Sequence, residues 1–412
     1  MTFEDLKLIE PIQKALLDAQ YEHPTPIQQK AIPAILDSRD VLGSAQTGTG
    51  KTAAFCIPII QFLAEGGPPK NRRIRALIVT PTRELAIQIG ENIDLYTKYT
   101  SIKNTVIFGG VKQGPQVQAL NKGVDIMVAT PGRLMDLHNQ GFIDLGHVKY
   151  FVLDEADRML DMGFIHDVKR LLNIIPKKRQ SLFFSATLPD NILQLSKTIL
   201  QNPIKIEVNP VSSTAETIQQ YLYYTNKSDK KSLLMHVLEE EEIEQALLFA
   251  KTKHGADRIV KDLKKHNVQA AAIHGDKAQN FRQKVLSQFK EGKLRVLVAT
   301  DIASRGIDID KLRYVINYDI PDMPESYVHR IGRSGRAGES GVAFAFSEPE
   351  ENEFIREIEK LTNQKINVVD DHPFPQTDKP MSSSEKKEFN KEKQKRKQEF
   401  FASRKGNNNR RR

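Results

Sequence analysis

Tryptophan is absent from the 412 residues, and cysteine occurs once, as Cys56. A lone thiol excludes an intrachain disulfide and leaves too few sulfur ligands for a structural zinc site, a usage that suits a reducing compartment. Aromatic residues are sparse at 7%. No apolar run approaches the roughly 18 residues of a membrane span, and the first ten residues are acidic and helix-like, unlike a secretory leader. These absences lead to the expectation of a cytoplasmic chain with no membrane attachment. What is present is ordinary for a globular protein: 39% hydrophobic and 27% charged residues. At about 100 to 200 residues per domain, the length fits two or three domains. The formal charge of +9 is unevenly placed, because residues 373–412 hold 13 Lys and Arg against 5 Asp and Glu. A near-neutral body with a cationic tail is the layout expected of a protein that holds a polyanion.

Short apolar runs alternate with amphipathic stretches along most of the chain. In the first part they fall at 41–45, 76–81, 105–108, 125–129, 150–154, 181–185 and 204–208. Many are near-continuous Val, Ile, Leu, Phe or Ala, as strands buried on both faces of a parallel sheet should be. Stretches such as 83–99 and 167–175 read as helices between them, so the expected class is α/β, built from βα units. Pro210 and a Ser-Ser-Thr cluster make residues 209–216 a linker. The logic then repeats at 220–225, 246–250, 270–274, 295–300, 314–318, 342–346 and 365–369. The expected organisation is therefore one α/β domain over 1–208, a second over 217–372, and a basic low-complexity tail over 373–412. Part of that tail, with Phe389 and Phe400 about three helical turns apart, is suited to folding on binding.

The run Ala45-Gln46-Thr47-Gly48-Thr49-Gly50-Lys51-Thr52 follows an expected strand and opens an expected helix. Glycines let backbone N–H groups wrap a phosphate chain, Lys51 can neutralise β and γ oxygens, and the Thr52 hydroxyl can reach Mg²⁺. The generic loop has Gly where Ala45 stands. Asp154 and Glu155 end the strand-like run Tyr150-Phe151-Val152-Leu153, at the edge where open α/β sheets bind ligands. Asp154 suits a metal holder and Glu155 a group that orients or deprotonates water. Cys56, inside the helix, reads as core.

These residues, with Pro-Thr-Arg-Glu-Leu-Ala at 81–86, Thr-Pro-Gly-Arg at 130–133, Asp-Glu-Ala-Asp at 154–157 and Ser-Ala-Thr at 185–187, resemble the DEAD-box family of ATP-dependent RNA helicases. The resemblance spans roughly residues 1–370, with a branch similar to the bacterial RhlE type. It implies two RecA-like domains, ATP, Mg²⁺ and RNA. It also implies an adenine pocket made by Phe3, Tyr21 and Gln28, with Gln20 standing where the family often has glycine. His329-Arg330-Ile331-Gly332-Arg333-Ser334-Gly335-Arg336 resembles the family's last motif, so Arg333 and Arg336 would reach the γ-phosphate from the second domain. Asp301 would meet the ribose, while Arg305, Asp308 and His329 would couple the two walls and Ser185 and Thr187 would relay between nucleotide and RNA. RNA backbone would lie along Pro81, Thr82, Arg83, Gly109, Gly110, Thr130, Gly132 and Arg133 in the first domain. In the second it would meet Thr252, Gly275, Gln279, Arg282 and Thr300. The partners so implied are single-stranded and short duplex RNA and ribonucleoprotein or ribosome-assembly factors, with the protein itself a monomer. An RNA-binding scaffold with a dead ATPase and a DNA translocase are the competing readings.

Overall fold

The computed structural model describes residues 1–45, 48–67, 71–208, 218–301, 312–335, 341–380 and 385. The expected linker at 209–216, Gln46, Thr47, Arg305, Asp308, Arg336 and almost all of the tail beyond Pro380 lie outside the described residues.

The first sheet contains β1 (Val41–Ser44), β2 (Ala76–Val79), β3 (Asn104–Ile107), β4 (Ile126–Ala129), β5 (Tyr150–Leu153), β6 (Gln180–Ser185) and β7 (Ile204–Glu207). The second contains β8 (Ile218–Tyr224), β9 (Ala246–Phe249), β10 (Ala270–Ile273), β11 (Val296–Ala299), β12 (Tyr314–Asn317), β13 (Gly341–Ser347) and β14 (Asn367–Val368). Their orders are β3-β4-β2-β5-β6-β1-β7 and β10-β11-β9-β12-β13-β8-β14, every pair parallel. Counted from its own first strand, each domain has the same topology. The repetition expected from the strand pattern is thus a repetition of fold, two RecA-like domains in tandem.

Burial on both faces explains the apolar runs. Ala76 and Ile78 join one core of the first domain, while Leu77 and Val79 join the core on the opposite face. In the second domain Ala246 and Leu248 part from Leu247 and Phe249 in the same way. Alternate residues of a strand point to opposite faces, so only a sheet covered by helices on both sides can use four consecutive apolar residues.

The chain stays packed on the second domain past residue 372, the edge expected from composition. Phe374 meets the His236 ring at 6.3 Å between centroids. Gln376 N–H donates to the Tyr224 carbonyl at 3.0 Å, and the amides of Thr377 and Asp378 donate to Asn226 Oδ1 at 2.9 Å. The ordered domain therefore reaches Asp378.

Candidate nucleotide and RNA sites

The order β5-β6-β1 sets Asp154, Ser185 and Ala45 side by side at the strands' carboxyl ends. Asp154 N–H donates to the Val79 carbonyl, and Ala45 N–H to the Ser185 carbonyl. Gly48 and Gly50 then take φ of 84° and 92°, which glycine adopts at little cost. A Cβ at Gly50 would also strike the Gln28 amide. The helix Lys51–Glu65 starts directly after this turn, and the buried Lys51 Nζ donates to the Ala45 carbonyl at 2.7 Å. Thr49 is part of the same turn and Thr52 is half-buried in the helix's first turn. Cys56 is buried in the core, as its place in the pattern implies.

Gln28 is buried rather than exposed on its helix. Its Oε1 accepts from Thr25 N–H at 2.8 Å and its Nε2 donates to the Gly50 carbonyl at 3.1 Å, completing a capping box and pinning the phosphate-type loop. The Phe3 and Tyr21 rings pack together, centroids 5.9 Å apart, with the Tyr21 hydroxyl 3.1 Å from that of Tyr96. Gln20, at the family's frequent glycine position, takes φ 59°.

Asp154 and Glu155 are each 2% exposed. Burial pushes the Asp154 carboxyl up to about 6, against the pull of Lys51. Burial would also raise Glu155, but Arg158, Lys51 and Arg333 outweigh it and hold the carboxyl below its usual range. Asp157 is the link to the next strand: Oδ2 accepts from the amides of Ala186 and Thr187 and from Thr187 Oγ1, while Asp157 N–H donates to Ser185 Oγ at 3.2 Å.

The second domain closes over this wall. His329 and Arg333, on and just after the helix Pro324–Ile331, face Asp157, Arg158 and Glu155 closely enough to act on them electrostatically. Between these two, Arg330 is buried, and its guanidinium forks onto Asp301 at 2.6 and 2.8 Å while also bonding Asn317 and the Asp319 carbonyl.

On the other side of the junction a cleft of about 490 Å³ is lined by Pro81, Thr82, Arg83, Gly109, Thr130, Gly132, Arg133, Gly275 and Arg282, together with Glu84, Asp136, Met162 and Phe164. Thr82 Oγ1 caps the helix Arg83–Tyr96, and Thr252 Oγ1 caps the helix Lys253–Lys265. Gly110 has φ 81°, and a Cβ there would strike the Arg83 guanidinium. Thr300 follows β11, its N–H directed at the Ile273 carbonyl. Two of the residues expected at RNA also join the two domains in this arrangement. Gln279 Nε2 donates to Glu84 Oε1 at 2.8 Å and Arg282 Nη2 lies 3.0 Å from the same oxygen, while Arg83 reaches Gln279 Oε1 at 3.3 Å. Glu84 is thus a latch between the domains.

Comparison with known proteins decides the family. Residues 25–195 match the DEAD/DEAH box helicase model and residues 229–338 the helicase conserved C-terminal domain. The DEAD-box ATP-dependent RNA helicase CshA of Geobacillus kaustophilus is 43% identical over 365 residues, 89% of this chain and 77% of that protein. This chain belongs to the DEAD-box family of ATP-dependent RNA helicases. Among solved structures, S. cerevisiae Dbp5 bound to RNA and ADP BeF3 superposes on this DEAD-box chain with a TM-score of 0.81, at 31% identity, covering 89% of this chain and 95% of that one. A Dbp5 variant bound to Nup159, Gle1, IP6 and ADP gives 0.61 at 29% identity, covering 90% and 96%.

Mg²⁺ suits the residues of this DEAD-box site. Among the described residues no group of three or more His, Cys, Asp or Glu forms a cage. One buried carboxylate, Asp154, and one hydroxyl, Thr52, stand instead at the phosphate-type loop, the sparse oxygen set by which Mg²⁺ is held together with substrate phosphates. Sequence reading passed over Glu84, Asp157, Arg158 and Arg330 as contributors. Glu84, Asp157 and Arg330 lie inside the quoted motifs and Arg158 directly follows one, but their work is in pairing with residues distant in sequence or in burial, which the motifs do not display.

Proposed function

We propose that ATP and RNA together draw the two domains into the arrangement described here, and that hydrolysis and phosphate release undo it. The observation that carries this reading is that one closure builds both junctions. It brings Arg333 and His329 to Glu155 and Asp157 on the nucleotide side, and Gln279 and Arg282 to Glu84 on the RNA side. The higher score against the RNA-bound Dbp5 complex supports the same placement.

The phosphate chain is held by the motif residues Ala45, Gln46, Thr47, Gly48, Thr49 and Gly50, with Lys51 leaving the Ala45 carbonyl for phosphate oxygens. Gln28, Tyr21 and Phe3 bound the adenine, and Asp301 takes the ribose. Mg²⁺, held by Thr52 and Asp154, would neutralise charge on the β and γ oxygens. Glu155 accepts a hydrogen bond from the attacking water. The water oxygen bonds the γ phosphorus as the bond to the β,γ-bridging oxygen breaks. That electron pair leaves with ADP, and the surplus proton departs through Glu155. Arg333, with Arg336, steadies the charge of the transferring group, a contribution of roughly 10³ to 10⁵ in rate for such arginines. Arg305 and Asp308 belong to the coupling between walls. Short duplexes are parted by local distortion as the clamp closes, the contacts being to backbone and 2′-OH groups. The protein acts as a monomer in the cytoplasm, on RNA and ribonucleoprotein substrates.

Steady-state ATPase with single-stranded RNA, with DNA of the same sequence and with neither tests the reading. Strong stimulation by RNA alone is expected. Equal rates in all three would sink the clamp, and equal stimulation by DNA would favour a DNA translocase.

A further inference from the structure

Glu155 enters the short helix Ala156–Asp161 from a left-handed backbone, φ 54° and ψ 51°. That conformation costs a residue with a Cβ about 1 to 2 kcal/mol, so the neighbours must hold it. They also treat its two oxygens unequally. Oε1 accepts from Arg158 Nη1 at 2.6 Å, whereas Oε2 is enclosed and has no hydrogen-bond partner among the described residues. A buried carboxylate oxygen left without a donor is costly, and native proteins tolerate one mainly where a donor arrives in the working state. Arg158 is itself only 3% exposed and reaches Glu155 as an i,i+3 neighbour, so it has little freedom to let go. Its far side meets the second domain, where it lines a small cavity with Asp301, His329, Arg330 and Arg333. The grip on Glu155 is therefore made from the first domain and backed by the second.

We propose that Arg158 is a positioning residue for hydrolysis: by occupying Oε1 it fixes the Glu155 carboxylate so that Oε2 alone is offered to the attacking water. This rests on Glu155 being the group that receives that water. A purely structural ion pair would use both oxygens or leave the second one in solvent, and Oε2 does neither.

The test compares Arg158→Gln and Arg158→Lys in the full-length protein. RNA-stimulated kcat should fall about 10- to 100-fold for Gln, the scale on which a misplaced reacting group costs rate. The KM for ATP and the RNA affinity with a non-hydrolysable ATP analogue should move by less than about twofold, since ground-state binding is untouched. Lys, which keeps the charge but not the fork, should recover part of the loss. Adding Arg158→Gln to Glu155→Gln should change the residual single-turnover rate by less than about twofold, because two residues acting through one group are not additive. Wild-type kcat in Arg158→Gln, or a full additive loss on top of Glu155→Gln, would overturn the proposal. Wild-type turnover by Glu155→Gln alone would instead fault the water-activating role beneath it. If Arg158→Gln is too unstable to assay, as a melting curve would reveal, the Lys variant and its cycle with Glu155→Gln decide the matter.

Discussion

Gln28 is pinned whether or not a base is bound. One lone pair of its Oε1 and one hydrogen of its Nε2 are engaged by Thr25 and Gly50, leaving one acceptor site and one donor for adenine. The same side chain thereby links base recognition to the shape of the phosphate loop. Gln28→Ala should cost about 1 kcal/mol as a lost helix cap, raise the KM for ATP and shrink the preference for ATP over GTP. Measured KM values for both nucleotides check this, and an unchanged ratio would leave Gln28 a structural cap only. At this scale the sequence displays much of the site: Lys51, Asp154 and Glu155 stand where their motif spacing puts them. Gln20 is instructive in the other direction, since it takes a positive φ without glycine. Arg158 is the limit of what spacing can say. An i,i+3 neighbour of Glu155 can be seen in the string, but the burial of the pair and the enclosed second oxygen belong to the folded structure, which spacing does not display.

Strands are the elements best announced by composition, because β2, β4, β9 and β11 are buried on both faces along their whole length. The segment after β14 is announced by nothing periodic. It holds the second domain through side chains reaching backbone: Gln376 Nε2 donates to the Thr225 and Ser347 carbonyls, and Asn352 Nδ2 donates to Gln376 Oε1. His372 adds an edge-on ring contact to Tyr223 at 5.3 Å. Hydrophobic periodicity cannot detect such a strap, so composition placed the tail six residues too early. Ending the chain at His372 should therefore destabilise the second domain by about 2 to 4 kcal/mol, from several hydrogen bonds at about 1 kcal/mol each and the loss of Phe374. Ending it at Pro380 should leave the urea midpoint unmoved while removing 12 Lys and Arg against 4 Glu. If that cationic tail tethers RNA, the shorter deletion should weaken binding and flatten its dependence on salt by roughly 0.7 per lost phosphate contact. Superimposable salt titrations would reduce the tail to a solubility device.

If the two domains open and close as proposed, closure should depend on proton state, with His329 the group placed to sense it. Its ring is half-buried, with Nε2 enclosed and without a hydrogen-bond partner among the described residues, between Asp157, Arg158 and Glu155 of the first domain and Arg333 of its own. Burial lowers its pKa to about 4, with Arg158 and Arg333 adding to that and Asp157 and Glu155 opposing it. In an open molecule the ring would titrate near its ordinary value of about 6.5. The closed form thus prefers neutral His329. Its advantage is complete above pH 6.5 and is lost as pH falls from there toward 4, since the open form takes up the proton first. The shift corresponds to at most about 3 kcal/mol. Burial also pushes the Asp154 carboxyl up to about 6 in the metal-free site, and its protonation would weaken nucleotide binding in acid. His329→Gln separates the two effects. RNA affinity in the presence of a non-hydrolysable ATP analogue should fall between pH 7 and pH 5 for the wild type. The fall should be shallower for the variant, which keeps only the Asp154 component. Fluorescence anisotropy of a labelled single strand reads both curves. Parallel pH profiles would show that His329 leaves the closing equilibrium untouched, and the acid sensitivity would then belong to the first domain alone.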